Sequence, residues 1–330
     1  MTNGSVQMSL PLQGHSDPGT RAAKSMTKRQ NSVAPQDRPV HSWYRFVLSF
    51  PPHLVRDYFE DFGLTDGATV LDPFCGTGTT VVEAKLQGLQ GIGIEANPFP
   101  HFASCVKTDW HVDPSNLLET ASEIARGAKK TLHGQGIDDE IHTASEGQSL
   151  KRLPRDAERV LIKNSISPLP LHKTLTLLEK INCYQHFTGH GHLLLALGIA
   201  LVNKIGNLRF GPEVGVGKIK HDIPVISPWL AEVDRMAADL RKVQGLDFPQ
   251  TTLHLGDART LSRIMSPNSV DAVITSPPYP NEKDYTRTTR LESVLLGFYE
   301  DMAHLRGFKK SLLRSNTRGV YAADDDDEWV

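Results

Sequence analysis

Residues Thr275 to Tyr279 read T-S-P-P-Y and directly follow the apolar run Asp271 to Ile274. Two adjacent prolines fix φ and remove two backbone donors. The carbonyls of Ser276 and Pro277 are therefore free acceptors on a stiff turn. Acceptors suit an exocyclic amine, whose nitrogen lone pair is delocalised into its ring and is a poor nucleophile. Hydrogen bonds from that amine to the Ser276 hydroxyl and the Pro277 carbonyl would orient it and favour a more tetrahedral nitrogen. Pro278 completes the stiff turn, and Tyr279 adds a π-face on which an extruded base could stack.

A second segment, Asp72 to Thr80, reads D-P-F-C-G-T-G-T-T. Gly76 and Gly78 lack a Cβ, so the backbone can approach a ligand closely. Amides at the start of the following helix, near Thr79 and Thr80, can donate to a carboxylate. Asp72 stands where it could face a ligand's amino group. Glu95, at the end of the next strand, suits a pair of ribose hydroxyls. Asp257, in "LHLGDAR", suits an adenine amino group, or equally a helix N-cap. On glycine spacing alone, this site fits a nicotinamide or another nucleotide as well as a methyl donor.

These residues need a scaffold that gathers strand ends. "ATVLD" (Ala68 to Asp72) reads as a buried strand, "VVEAKLQG" as a helix ending at Gly88, and "GIGIE" (Gly91 to Glu95) as a second strand. This β-loop-α-β unit predicts two parallel strands. Residues 113–205 read mostly as helices from apolar spacing of three and four. "GNLRFGPEVGVGK" (206–218) reads as a glycine-rich loop, and "VISPWLAEVDRMAADLRKV" as a helix with Trp229 in the core. The strand pattern resumes with "TTLHLGDAR" and "SVDAVITSPPYP", followed by one helix over "TRLESVLLGFYEDM". The predicted organisation is a disordered arm at 1–38, an α/β catalytic domain at 39–104 and 251–310, a helical insertion at 105–250, and an acidic tail at 311–330.

Composition bounds the function. The chain has 330 residues, 39 % of them hydrophobic, and a formal net charge of −2, so any basic surface must be local. Three widely spaced cysteines make neither a disulfide framework nor a zinc pattern, which points to a reducing, cytoplasmic setting. The most apolar stretch, His192 to Val202, is about half the roughly 20 residues a membrane span needs.

Together, D-P-F-x-G-x-G-T and the later S-P-P-Y resemble the DNA amino-methyltransferases, the N4-cytosine and N6-adenine enzymes found in restriction–modification systems. "HSWYRFVLSFPPHLVRDYF" (His41 to Phe59) resembles the segment that lines the methionine side of the cofactor there. "GIGIEANP" resembles the ribose-binding strand, and "LHLGDAR" the adenine-side strand. The resemblance implies a Rossmann-like methyltransferase sheet with helices on both faces, S-adenosyl-L-methionine as cofactor and duplex DNA as substrate. It implies Asp72, Phe74, Gly76, Gly78, Thr79, Glu95 and Asp257 at the cofactor, and Ser276, Pro277, Pro278 and Tyr279 at the base. Ser276 in the first position of the tetrapeptide favours N4 of cytosine over N6 of adenine. Direct in-line displacement follows, with no metal and no covalent intermediate. C5 attack is disfavoured because no cysteine follows a proline.

The chain departs from that family in two ways. The 105–250 insertion separates the second and third sheet strands, and its Lys151, Arg152, Lys163, Arg209, Phe210 and Lys218 make it a candidate for target recognition, a plain helical subdomain being the equal alternative. After Tyr279 no clear buried strand is found, so the sheet is expected to lack its last strands. A truncated subunit, or one half of a split enzyme with a complementing C-terminal polypeptide, fits that pattern. Methylation of RNA or tRNA bases is the remaining enzymatic alternative.

Overall fold

The structure is a computed structural model and describes residues 33–45, 49–140, 149–211, 214–245, 247–278 and 284–313. Most of the expected arm and most of the acidic tail lie outside these residues, as does Tyr279. Residues 33–38, assigned to the arm on composition, are part of the folded unit. Asp37 ends a 3-10 turn, Pro35–Asp37, and is buried. It accepts from Arg56 at 2.7 Å, and Arg56 also bonds Glu83 at 3.0 Å. Glu83 in turn accepts from His41 at 2.7 Å. Pairing of this kind offsets the cost of burying these charges.

Helix α1 (Pro52–Asp61) begins with proline at its first position, where the missing N–H costs nothing. Strand β1 (Thr69–Asp72), helix α2 (Thr79–Leu86) and strand β2 (Gln90–Glu95) form the predicted unit. β1 and β2 are parallel, in register from Thr69↔Gln90 to Asp72↔Gly93. Gly88, at φ +76°, closes α2 in the left-handed conformation that glycine tolerates.

The insertion is helical, as its periodicity predicts. It follows α3 (Pro98–Thr108) with α4 (Pro114–Gly134), α5 (Arg155–Val160), α6 (Pro168–Asn182) and α7 (His190–Ala200), a π-helical turn Leu201–Ile205, and α8 (Ile226–Val243). Asp113 caps α4 by accepting from the amides of Ser115 and Asn116. Trp229 is fully buried and its Nε1 donates to the Leu193 carbonyl at 2.9 Å, so it is core. The main apolar core runs through Trp43, Phe99, Leu117, Leu193, Trp229 and Leu291, joining the insertion helices to residues beside the sheet.

The expected loop at 206–218 is instead a short antiparallel hairpin, β3 (Leu208–Arg209) with β4 (Gly215–Val216). Asn207 closes it. Its amide donates to the Ser165 carbonyl at 2.7 Å, its carbonyl accepts from Gly217 at 2.6 Å, and its Oδ1 accepts from the Lys220 amide at 2.9 Å. Such two-residue strands are too short to show an alternating pattern.

β5 (Thr252–Leu255) lies beside β2, and β6 (Ala272–Val273) beside β1. The parallel sheet therefore runs β5-β2-β1-β6. Among the described residues no strand pairs with the outer edge of β6, and Val273 is 51 % exposed there. The single helix expected over 289–302 is broken. Helix α9 (Tyr285–Thr288) leads into α10 (Arg290–Leu295), and α11 (Met302–Ser311) follows. Gly297, at φ +84°, turns the chain between α10 and α11. No described helix is long and apolar enough to cross a membrane.

Candidate active site

In an open parallel sheet, ligands bind beyond the carboxyl ends of the strands. Here those ends open into one cleft, with a cavity volume of about 170 Å³. Phe74, Gly76 and Thr79 line it after β1, Glu95 after β2, Asp257 after β5, and Ser276, Pro277 and Pro278 after β6. Ser49 and Phe50, from the segment before α1, complete one wall. The glycine turn and the proline turn thus share a cleft. They do so because β1 and β6 are neighbours, with Val70↔Ala272 and Leu71↔Val273 in register.

A side-chain bond ties the two turns together. The Thr275 hydroxyl donates to Asp72 Oδ1 at 2.6 Å, and the Phe74 amide donates to the same oxygen at 3.1 Å. Asp72 does not line the cleft as expected. It lies beneath the turn, 1 % exposed, because its bonds to Thr275 and Phe74 draw it inward. Oδ2 is buried without a hydrogen-bond partner among the described residues. Burial pushes the Asp72 carboxyl up to about 6, against the pull of the Thr275 hydroxyl and the Phe74 amide.

The two glycines divide their roles. Gly76, at φ +53°, lines the cleft, and a Cβ there would meet nothing within 4 Å. Gly78, at φ +83°, does not line it. A Cβ at Gly78 would lie 2.9 Å from the Ser104 Cβ and 3.3 Å from its Cα, so this glycine lets α2 start against α3. The expectation that both glycines admit a ligand is corrected for Gly78.

Glu95 reaches back to the glycine turn. Its Oε2 accepts from the Gly76 amide at 2.9 Å and its Oε1 from the Asn97 amide at 2.7 Å. Each oxygen keeps a lone-pair site for another donor. Burial raises this carboxyl to about 7, opposed by the two amides. Asp257 lines the cleft and also caps the turn at 258–260, accepting from the Arg259 amide at 2.9 Å. The Arg259 guanidinium holds it too, at 2.7 Å from Nη2 and 3.0 Å from Nε. The cap and the ligand-facing position coexist, and any ligand donor would share this carboxylate with Arg259.

Two buried polar groups beside the site escaped the sequence reading. Lys107, 1 % exposed, donates from Nζ to the Thr77 carbonyl at 2.7 Å and the Tyr44 carbonyl at 3.4 Å. It holds the glycine turn from below. Burial lowers its ammonium to about 7. Glu292 is fully buried on α10 and accepts from the Tyr44 hydroxyl. Burial raises Glu292 to about 7. A charged residue inside an apolar run, as in "FASCVKTDW" and "RLESVLL", was the available signal. Cys75 is buried, and burial pushes its thiol well above the usual range, away from the thiolate that C5 attack requires.

The DNA methylase family matches residues 22–101 of the chain, which carry the glycine turn and Glu95. Over 81 % of its length the chain is 29 % identical to the type II methyltransferase M.BsoBI of Geobacillus stearothermophilus. Over 83 % it is 25 % identical to M.AvaI of a Nostoc strain. A shorter match, 28 % identical over 38 % of the chain, is to M.MjaII of Methanocaldococcus jannaschii. The chain is therefore similar to DNA methylases around the glycine turn, and to type II DNA methyltransferases over most of its length. Type II DNA methyltransferases of this family use S-adenosylmethionine as methyl donor. The chain spans about half the length of the curated relatives it matches over most of its own, 54 % of M.BsoBI and 57 % of M.AvaI.

The cleft of this chain fits that donor on its own features. A glycine without a close neighbour leaves room for a ligand at the turn, and a buried, unpartnered carboxylate oxygen lies beneath it. Glu95 retains lone-pair sites for two hydroxyl donors.

Proposed function

We propose that this chain is the cofactor-binding and catalytic part of a sequence-specific DNA methyltransferase. In this reading it methylates the exocyclic N4 of cytosine in duplex DNA, within a restriction–modification system. The observation that carries the reading is the shared cleft, with Ser276 and Pro277 facing the turn that the Thr275–Asp72 bond anchors.

S-adenosylmethionine, when bound, supplies an electrophilic methyl on a positive sulfonium that leaves readily. Gly76, Thr79 and Glu95 would hold it, with Asp257 on the adenine side and Phe74 as an apolar wall, while Asp72 would act from beneath the turn, where its Oδ2 has no partner among the described residues. The chain's own work is on the acceptor. The Ser276 hydroxyl and the Pro277 carbonyl accept hydrogen bonds from the amine and turn its lone pair towards the cofactor side. Pro278 keeps that turn rigid. Tyr279, outside the described residues, would stack on the extruded base. Positioning and oriented dipoles then supply most of the acceleration.

Duplex DNA is the proposed substrate, and the cytoplasm of a prokaryotic cell the proposed location. Among the described residues the outer edge of β6 is unpaired and Val273 is exposed, which supports a complementing polypeptide that adds strands there. Tritiated methyl transfer to duplex DNA and to RNA, followed by base analysis, tests the reading. N4-methylcytosine in DNA supports it, and N6-methyladenine would revise the base while keeping the enzyme. Label in RNA alone, or in nothing even with a C-terminal fragment of a relative added, would overturn it.

A further inference from the structure

The β3–β4 hairpin leaves the helical insertion and meets the helix that follows the proline turn. Its buried Val214 accepts at the carbonyl from Arg287 Nε at 3.1 Å. Arg287 sits on α9, two residues after Tyr285, which lines the cleft together with Ser276 to Pro278. The hairpin is therefore fastened to the helix that follows the proline turn.

The fold uses only part of the hairpin's charge, and Gly217 but not Gly215. Between residues 204 and 220 the sequence holds Lys204, Arg209, Lys218 and Lys220 against one acid, Glu213, in a chain whose net charge is −2. Lys220 is spent on the protein, donating from Nζ to the carbonyls of Lys204 and Gly206. Arg209 and Lys218 are exposed. Gly217 is needed by the hairpin, because a Cβ there would lie 3.2 Å from the Arg209 Cβ. Gly215 is not: its φ is ordinary and a Cβ would meet nothing within 4 Å. A strand glycine with open space beside it marks a place where another backbone can approach.

We infer that this hairpin is a duplex-DNA contact, seating the sugar-phosphate backbone against Arg209, Lys218 and Gly215 at the mouth of the catalytic cleft. The inference rests on the DNA reading above and adds to it the surface that holds the duplex while a base enters the cleft. A two-stranded ribbon has the dimensions of a DNA groove, and phosphate contacts from Arg and Lys fix register and orientation. Each phosphate neutralised adds about 0.9 to the salt slope of binding.

The test compares the full chain with R209A/K218A and, separately, with G215V. Fluorescence anisotropy with a labelled duplex is read between 50 and 200 mM salt, with duplex RNA as a second probe. S-adenosylhomocysteine affinity and the thermal midpoint serve as controls. The double variant is expected to lose up to about 1.8 from its log–log salt slope and to bind DNA roughly 10- to 60-fold more weakly near 100 mM salt. G215V is expected to weaken DNA binding while the thermal midpoint and the cofactor analogue's affinity stay put. Wild-type DNA binding with unchanged slope and affinity in both variants overturns the hairpin proposal and leaves the enzyme reading intact. Equal or tighter binding of duplex RNA overturns the commitment to DNA. A wild-type chain that binds the cofactor analogue but no duplex overturns both readings together.

Discussion

Changing Thr275 to valine removes one hydroxyl and keeps the branched shape. In the wild type that hydroxyl donates to Asp72 Oδ1 at 2.6 Å, and Asp72 titrates near 6. A hydrogen bond to a charged group contributes about 1.5–3 kcal/mol. At 1.36 kcal/mol per pKa unit, its loss raises the Asp72 pKa by roughly 1–2 units. The direction follows from what the bond favours. It stabilises the carboxylate, so removing it favours the protonated acid. If Asp72 must be ionised to accept from the cofactor's ammonium, affinity is intact above its pKa and falls as pH drops through it. The falling limb then moves from near pH 6 in the wild type to about pH 7–8 in T275V. At pH 6.5 the variant should bind S-adenosylhomocysteine roughly tenfold more weakly, and near pH 8.5 the two should almost converge. Isothermal titration from pH 5.5 to 8.5 reads both limbs, and T275S should restore the wild-type curve. Superimposable curves would refute the reasoning, and so would an equal offset at every pH, which is the mark of a shape defect alone.

Three further outcomes follow from buried groups. K107M removes the donor to the Thr77 carbonyl, so cofactor-analogue binding should weaken by about 5- to 30-fold. Its thermal midpoint should change little, because losing that bond and losing a buried charge oppose each other; unchanged calorimetric affinity would count against the role given to Lys107. E292Q keeps an acceptor for Tyr44 and removes a carboxyl whose folded pKa of about 7 lies above its unfolded value. The cost of burying that charge is complete above pH 7 and disappears below about 4.5, so the stability of E292Q relative to wild type should rise by about 3 kcal/mol from pH 5 to pH 8, measured by denaturant unfolding. G78A places a Cβ against Ser104 at positive φ and should lower the thermal midpoint by a few degrees in scanning fluorimetry, whether or not cofactor is present.

The β1-α2-β2 unit and the helical insertion were legible because each has a local signature: apolar runs, helix-period spacing, and a glycine at each turn. The meeting of Gly76 with Ser276 in one cleft was legible only through the paired motifs. The Thr275–Asp72 bond joins residues 203 positions apart, and no spacing rule reaches across that distance. Gly78 looked like a ligand-facing glycine because its true neighbour, Ser104, comes from the next helix but one strand away in sequence. The hairpin at 208–216 was hidden because its strands are two residues long and are held by Asn207 rather than by an apolar face. Likewise, helical spacing continued through "LLGFYEDM", and only the left-handed Gly297 shows where the chain turns.

Amide hydrogen exchange on the full chain, with and without S-adenosylhomocysteine, tests most directly whether one ligand spans both turns. Slower exchange is expected together at 74–80 and at Thr275 and Ser276. Protection of the glycine turn alone, or of neither segment, would contradict the account.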